Sequence, residues 1–308
     1  MTDCKGKSCR YCSSQGIGFD IESSKAILGR VIDRIEYQIM HRSQINSLSG
    51  EELFNRVTGI SEQSNKLTVI GGRPSSKHLD VAENILFGEL ETGTLSAIVG
   101  SETGNQSILR RYLAKISEVD ASLIAFGALS DPEWIKIEKA VTQIVQESNL
   151  FTVSCKTMTL DSLVTAINKL KVQEPNLRLV LVSVDDFFHS FESDCCSTEK
   201  ACLGGALRGL VDSLDISIVV TVNLSDEIDN RTDHKACLLD LPSHLNLSHY
   251  ADNLALCEYP DLYEKDTNRH TNKVDIVVYN GWNSTRISIP VNEQMLISVE
   301  KCNLTEWI

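Results

Sequence analysis

The chain has 308 residues, 42% hydrophobic and 23% charged, enough for one large globular domain with an appendage. A formal net charge of −13 repels nucleic acid over most of the surface, so any DNA contact needs a local basic patch or partner subunits. No apolar run reaches the ~18–20 residues of a membrane span, and the first residues lack a secretory apolar segment. Ten cysteines in that context point to free thiols in a reducing, cytoplasmic setting.

Residues 1–21 form a small, polar tail carrying Cys4, Cys9 and Cys12 in a C-x4-C-x2-C spacing. A tight knuckle of this kind lets two thiolates face one zinc ion, and four ligands complete such a site. His41 is the nearest further candidate, and free thiols in a solvated tail are the alternative. Residues 22–42 pattern as an amphipathic helix capped by Ser23 or Ser24, with Ile27, Val31, Ile32, Ile35 and Ile39 at helical spacing. That stripe docks on the chain's own core or on a neighbouring subunit. Residues 43–78 are polar and turn-rich. The break at Gly71-Gly72-Arg73-Pro74 sets the boundary between a helical appendage, 22–70, and a main domain, 71–308.

Strands and helices then alternate. Strands are predicted at 95–99, 122–127, 150–154, 177–184 and 216–222, and a closing group at 253–259, 274–279, 286–291 and 295–299. Helices are predicted at 107–117, from Asp131-Pro132-Glu133 onward, at 160–170 and at 201–214. Asp131-Pro132-Glu133 supplies a cap, an N1 proline and an acidic first turn, and Trp134, Ile137, Val141, Ile144 and Val145 then make a buried stripe. The uninterrupted Val/Ile/Leu runs suit parallel strands covered on both faces. The fold class is a three-layer α/β domain with an antiparallel C-terminal extension.

The stretch 93–107, GTLSAIVGSETGNQS, patterns as a buried strand, a glycine-containing loop and a helix. A phosphate loop reads GxxxxGK[ST], with backbone amides around the phosphates, a lysine on them and a hydroxyl on Mg²⁺. Laid on that pattern, Gly100 takes the first glycine, Asn105 the second, Gln106 the lysine and Ser107 the hydroxyl position, with Gly104 beside them. The apolar strand at 177–184 ends in Asp185-Asp186, either a Mg²⁺ ligand pair or an acidic turn. Cys195, Cys196 and Cys202 cluster in one loop, as free thiols or, with His189, as metal ligands.

A strand, loop and helix followed by an apolar strand ending in aspartate has the order of Walker A and Walker B. Further segments fall in sequence: Leu79-Asp80 before GTL at 93–95, LVSVDDFFHSF at 181–191, a helix running into ISIVVTVNLSDEIDNR, and LLDLPSHLNLSHYADNLAL. Over roughly 73–292 this resembles the C-terminal RecA-like domain of DnaB-type replicative helicases, with Asp240, Leu241, Ala251 and Asp252 in register with a family-specific segment.

The resemblance implies a RecA-like P-loop NTPase core, oligomerisation, and a site for ATP and Mg²⁺ built on Gly100, Ser107, Asp185 and the sensor position Asn223. It also implies losses: the lysine at Gln106, a catalytic glutamate at Leu129, the KxR pair at Tyr279 and Gly281, and a DNA-loop arginine at Pro242. Arg110, Arg111 and Arg286 are the substitute cations within reach.

Three functions stay open. One is a non-catalytic paralogue, degenerate in Walker A, that works with replisome proteins. Another is a divergent active ATP-dependent helicase subunit. The third is a RecA-like scaffold outside replication.

Overall fold

The structure, a computed structural model, describes residues 65–147, 149–154, 159–184, 203–264, 270–280 and 283–291. The chain divides into two compact units, Met1–Asn46 and Ser47–Ile308, and every described residue belongs to the second. Cys4, Cys9 and Cys12, the helix expected at 22–42, Asp185-Asp186, His189, the cysteines at 195, 196 and 202, Gly281 and the strand expected at 295–299 lie outside the described residues.

Strand β1 (Leu67–Gly72) stands where the sequence predicts a polar linker, and all six of its residues are buried. The expected boundary at residue 70 therefore falls inside a core strand, and the domain begins earlier. Helix α1 (His78–Glu91) follows, then β2 (Ser96–Gly100), α2 (Glu102–Ser117), α3 (Ala121–Phe126), α4 (Asp131–Glu147) and β3 (Leu150–Ser154). The second half contributes α5 (Leu160–Gln173), β4 (Leu179–Ser183), α6 (Leu203–Leu214), β5 (Ser217–Asn223), the single turn α7 (Leu247–Tyr250), β6 (Asn253–Glu258), β7 (Lys273–Asn280) and β8 (Asn283–Pro290).

The strands form one sheet in the order β3-β2-β4-β5-β1-β6-β7-β8. The first six are parallel to one another, and β7 and β8 run antiparallel. The α/β class and the antiparallel extension are thus as the sequence predicts. Alternation along the parallel strands fills both faces. Leu67, Val69, Val99, Val182 and Val220 pack with Ile167 of α5 and with Leu207 and Val211 of α6. Helix α1 lies against β1, β4 and β5, burying Ile85, Leu86 and Leu90.

Two local expectations are overturned. Residues 122–127, expected as a strand, are helix α3. The Asp120 carboxylate accepts the Ser122 amide at 2.7 Å, and Gly127, at φ 66, closes the last turn. A cap at one end and a left-handed glycine at the other specify a helix over the apolar content between them. A central strand would be buried, and none of the residues of α3 is. On α4, Ile137 and Ala140 are buried, whereas Trp134, Val141 and Val145 are 53%, 44% and 68% exposed. The predicted stripe is real as a pattern, but only part of it meets the core.

Candidate functional site

In an open parallel sheet, ligands sit beyond the carboxyl ends of the strands, at the point where the strand order reverses. Here the chain leaves β1 for β2 and β3, returns through β4 and β5, and crosses β1 to reach β6. The crevice lies above β1, and residues 73–77, between β1 and α1, form its floor. Gly72 pairs in register with Asn223 at the end of β5, and its carbonyl accepts the Leu224 amide at 3.0 Å. Asn223, expected at a sensor position, does reach this crevice.

The residues expected to form the phosphate loop do not. Val99, Val182, Val220 and Val69 share one row of the sheet, so Gly100 ends its strand level with Ile70, two residues short of Gly72. Three strand spacings, about 14 Å, separate β2 from β1. Only Ser101 intervenes between β2 and α2, where its hydroxyl caps the helix by accepting the Gly104 amide at 3.0 Å. Gly104, Asn105, Gln106 and Ser107 are helical, and helical geometry commits their amides to the cap and the i−4 carbonyls. Asn105 is buried because it ties α2 to β3, donating to Val153 O at 3.1 Å and Ser154 Oγ at 2.9 Å. That explains an asparagine here without reference to a nucleotide.

The loop above β1 carries a spacing that the sequence reading passes over. Gly71-Gly72-Arg73-Pro74-Ser75-Ser76-Lys77-His78 lays on GxxxxGK[ST] with Gly71 at the first glycine and Lys77 at the lysine, but with serine and histidine at the second glycine and the hydroxyl. The signal available is LTVIGG, a short apolar run passing into glycines and followed at fixed distance by lysine. Flanking polar residues mask it.

The loop is closed on itself. Arg73 O accepts the Ser76 amide at 2.9 Å, and Ser76 and His78 are buried, with Ser76 Oγ and His78 Nδ1 3.2 Å apart. Both side chains lie on Gly72, where an added Cβ would stand 2.1 Å from Ser76 Oγ and 2.7 Å from His78 Cβ. Ser75 and Lys77 each adopt φ 70, a left-handed conformation that non-glycine residues hold at some cost.

The cations around the loop are paired internally. Arg73 binds Asp226, donates to Asp229 Oδ2 at 2.7 Å and reaches Leu224 O at 3.1 Å. The Tyr263 hydroxyl, at 2.8 Å, and then the Arg73 guanidinium hold the Asp229 carboxyl below the usual carboxylate range. Lys77 Nζ is 3.5 Å from Asp80 Oδ2, and Arg111 joins Asp80, at 3.1 Å, to Glu83. Arg286, the other candidate substitute, lies 3.0 Å from both Glu258 and Asp275. It lines a cavity of about 220 Å³ with His234, Tyr259 and Tyr263 among its walls.

Burial pushes the Glu83 carboxyl up to about 8, against the pull of Arg111. Between the ordinary value of 4.5 and 8, the folded chain keeps a proton that the unfolded chain releases. The group's contribution to stability is therefore full at low pH and is lost as pH rises through 8. Glu83→Gln, which cannot ionise, is expected to gain on the wild type by roughly 2 kcal/mol between pH 6 and pH 8 in urea unfolding. An unchanged difference over that interval would show that Glu83 does not titrate there.

The residues singled out by their register with the replicative helicases hold this architecture together. Asp252 accepts the Leu67 amide at 2.8 Å and binds Arg208. Asp240, 2% exposed, takes Arg231 with both oxygens, at 2.7 and 2.6 Å, and the Cys237 amide at 2.7 Å. The model of the DnaB-like helicase C-terminal domain matches residues 49–291, well over half the chain. The chain belongs to this DnaB-like family.

The Helicobacter pylori (strain 26695) replicative DNA helicase DnaB is 22% identical over 261 residues, covering 83% of this chain and 52% of that protein. The Bacillus subtilis replicative DNA helicase DnaC is also 22% identical, over 264 residues, covering 83% and 57%. The DnaB-like chain thus spans about half the length of these curated relatives. Among solved structures, an isolated ATPase domain superposes with a TM-score of 0.70 at 17% identity, covering 90% of this chain and 98% of that one. A DnaB-like replicative helicase described with its interactions with primase gives 0.64 at 17%, covering 75% and 57%. The RecA-like fold expected from the sequence is therefore shown, as is the relationship to the helicases of DNA replication. Among the described residues, no helix is long and apolar enough to cross a membrane.

Proposed function

We propose that this DnaB-like chain acts in or on DNA replication through protein–protein assembly and does not turn over ATP. The observation that carries this is the closed loop at 71–78. A phosphate site needs an open cradle of amides and an uncommitted cation. Here Ser76 and His78 cover Gly72, and Arg73 and Lys77 are each satisfied by the chain's own carboxylates. Asp226, Glu227 and Asp229 on the next loop add negative charge where a polyphosphate would approach. His78 replaces the hydroxyl that would ligate Mg²⁺. An assembly role is supported by the apolar side chains that the fold leaves in water on α3 and α4: Phe126, Trp134, Val141 and Val145. Replicative helicases and other replisome proteins are the partners this relationship suggests.

A divergent active ATPase is the second reading, favoured by Lys77 at the lysine position and by Glu102. With β1 as the phosphate-loop strand, the next strand in the chain is β2. The Ser101-Glu102-Thr103 that follows it then takes the place that the resemblance gives to Leu129, where the family keeps its catalytic glutamate. Calorimetry of the whole chain with Mg-ATP separates the two. No heat at millimolar nucleotide and background turnover are expected. ATP turnover that Lys77→Ala abolishes would establish the active enzyme instead.

A further inference from the structure

The lysine at the mouth of the loop is held in an unusual way for a long surface cation. Its side chain is 14% exposed, and the Asp80 carboxylate beside it 12%. The two oxygens of Asp80 are divided, Oδ2 toward Lys77 Nζ at 3.5 Å and Oδ1 toward Arg111 Nη1 at 3.1 Å. Arg111 comes from α2 and is itself fixed by Glu83, whose side chain is 4% exposed. An acid in the first turn of a helix is ordinarily accounted for by the helix dipole, solvated and free to move. Asp80 is instead aimed from behind by a second cation and faces the one amine that a polyphosphate would need. Two cations meet two carboxylates, so the cluster is balanced without a ligand.

We propose that Asp80, oriented by Arg111 and Glu83, is an autoinhibitory clamp on Lys77 that takes the place of a polyphosphate ligand. The inference rests on the absence of nucleotide turnover proposed above and supplies a cause for it. Recruiting Lys77 to a phosphate leaves Asp80 with Arg111 alone, and that cost is absent once the carboxylate is neutralised. Asp80→Asn keeps an oxygen for Arg111 while releasing Lys77.

The test is calorimetric titration of the whole chain with inorganic tripolyphosphate. Asp80→Asn is expected to bind at least about tenfold more tightly than the wild type, roughly 1.4 kcal/mol, and adding Lys77→Ala is expected to remove the gain. A folded Asp80→Asn chain that binds no better than a silent wild type overturns the clamp and leaves the proposed function standing. A wild type that binds and turns over Mg-ATP overturns the proposed function, while a tenfold gain on top of that would still uphold the clamp.

Should Asp80→Asn not fold, amine labelling of the wild type decides. An ion pair near the surface loosens as salt screens it. Labelling of Lys77 relative to the exposed Lys136 is therefore expected to rise at least about twofold between 0.05 M and 1 M salt, and a flat ratio overturns the clamp.

Discussion

Asp240→Ala is expected to cost about 3 kcal/mol of stability, because it leaves the Arg231 guanidinium and the Cys237 amide without their acceptor. Asp240 is nearly fully buried, and both of its oxygens are committed. Its own carbonyl accepts the Ser225 amide at 2.9 Å. One residue thus fastens the whole 225–240 excursion beside the carboxyl ends of β5 and β6. In a domain of this size the loss is worth roughly 6–10 °C in Tm. Replacing Asp240 and Arg231 together by leucine and methionine is expected to recover much of it, since an apolar pair leaves no stranded charge. A loss under about 1 kcal/mol for the alanine variant, by urea unfolding, would mean that water replaces the carboxylate.

The same residue has a pH signature. Burial works to raise the Asp240 carboxyl, but the Arg231 guanidinium and the Cys237 amide outweigh it, and the group titrates below the ordinary 3.8. Its stabilisation is present above 3.8 and is lost as pH falls below it, the opposite sense to Glu83. Acid unfolding and alkaline loosening of this domain should therefore be separable by single variants at these two positions.

Gly72→Ala is the second large effect, expected at about 2–3 kcal/mol. The new methyl would stand 2.1 Å from Ser76 Oγ and within 2.8 Å of His78 Cβ and Cγ. Serine can rotate away, but the histidine atoms sit next to the backbone at the start of α1. The loop must lift or α1 must slide. Gly71→Ala is a natural control: its nearest neighbours are the terminal methyls of Leu224, Leu256 and Leu241, which can give, and about 1 kcal/mol is expected. Adding Ser76→Gly to Gly72→Ala should return part of the loss, read as coupling in a double-mutant cycle. Additive effects would show that Ser76 does not fill the space over Gly72.

The closed loop also changes the meaning of the losses around the site. By sequence register, lysine, glutamate and arginine are all missing from one ATP site. In the fold, Lys77 and Glu102 stand at the carboxyl ends of β1 and β2, so two of those losses disappear. What distinguishes this chain is the filling of the loop and the neutralisation of its cations. That makes the question of activity one of a few side chains around Gly72 and Lys77.

The sequence by itself determines the class of the fold. Runs such as LVLVS and SIVVTVN are too continuous for anything but strands covered on both faces, and Asp131-Pro132-Glu133 opens a helix through local chemistry alone. Order along the chain suffices for the family resemblance. Tertiary structure alone decides which strand is central, because pairing order is a long-range property that no local pattern carries. Leu67–Gly72 is short and flanked by polar residues, yet lies between β5 and β6; 93–107 has a glycine-containing strand-to-helix passage, yet lies three strands away. It also decides how charges pair: Arg73 meets Asp226 and Asp229 across more than 150 positions of sequence, and Lys77 loses its freedom to an aspartate whose orientation is set by an arginine on the next helix.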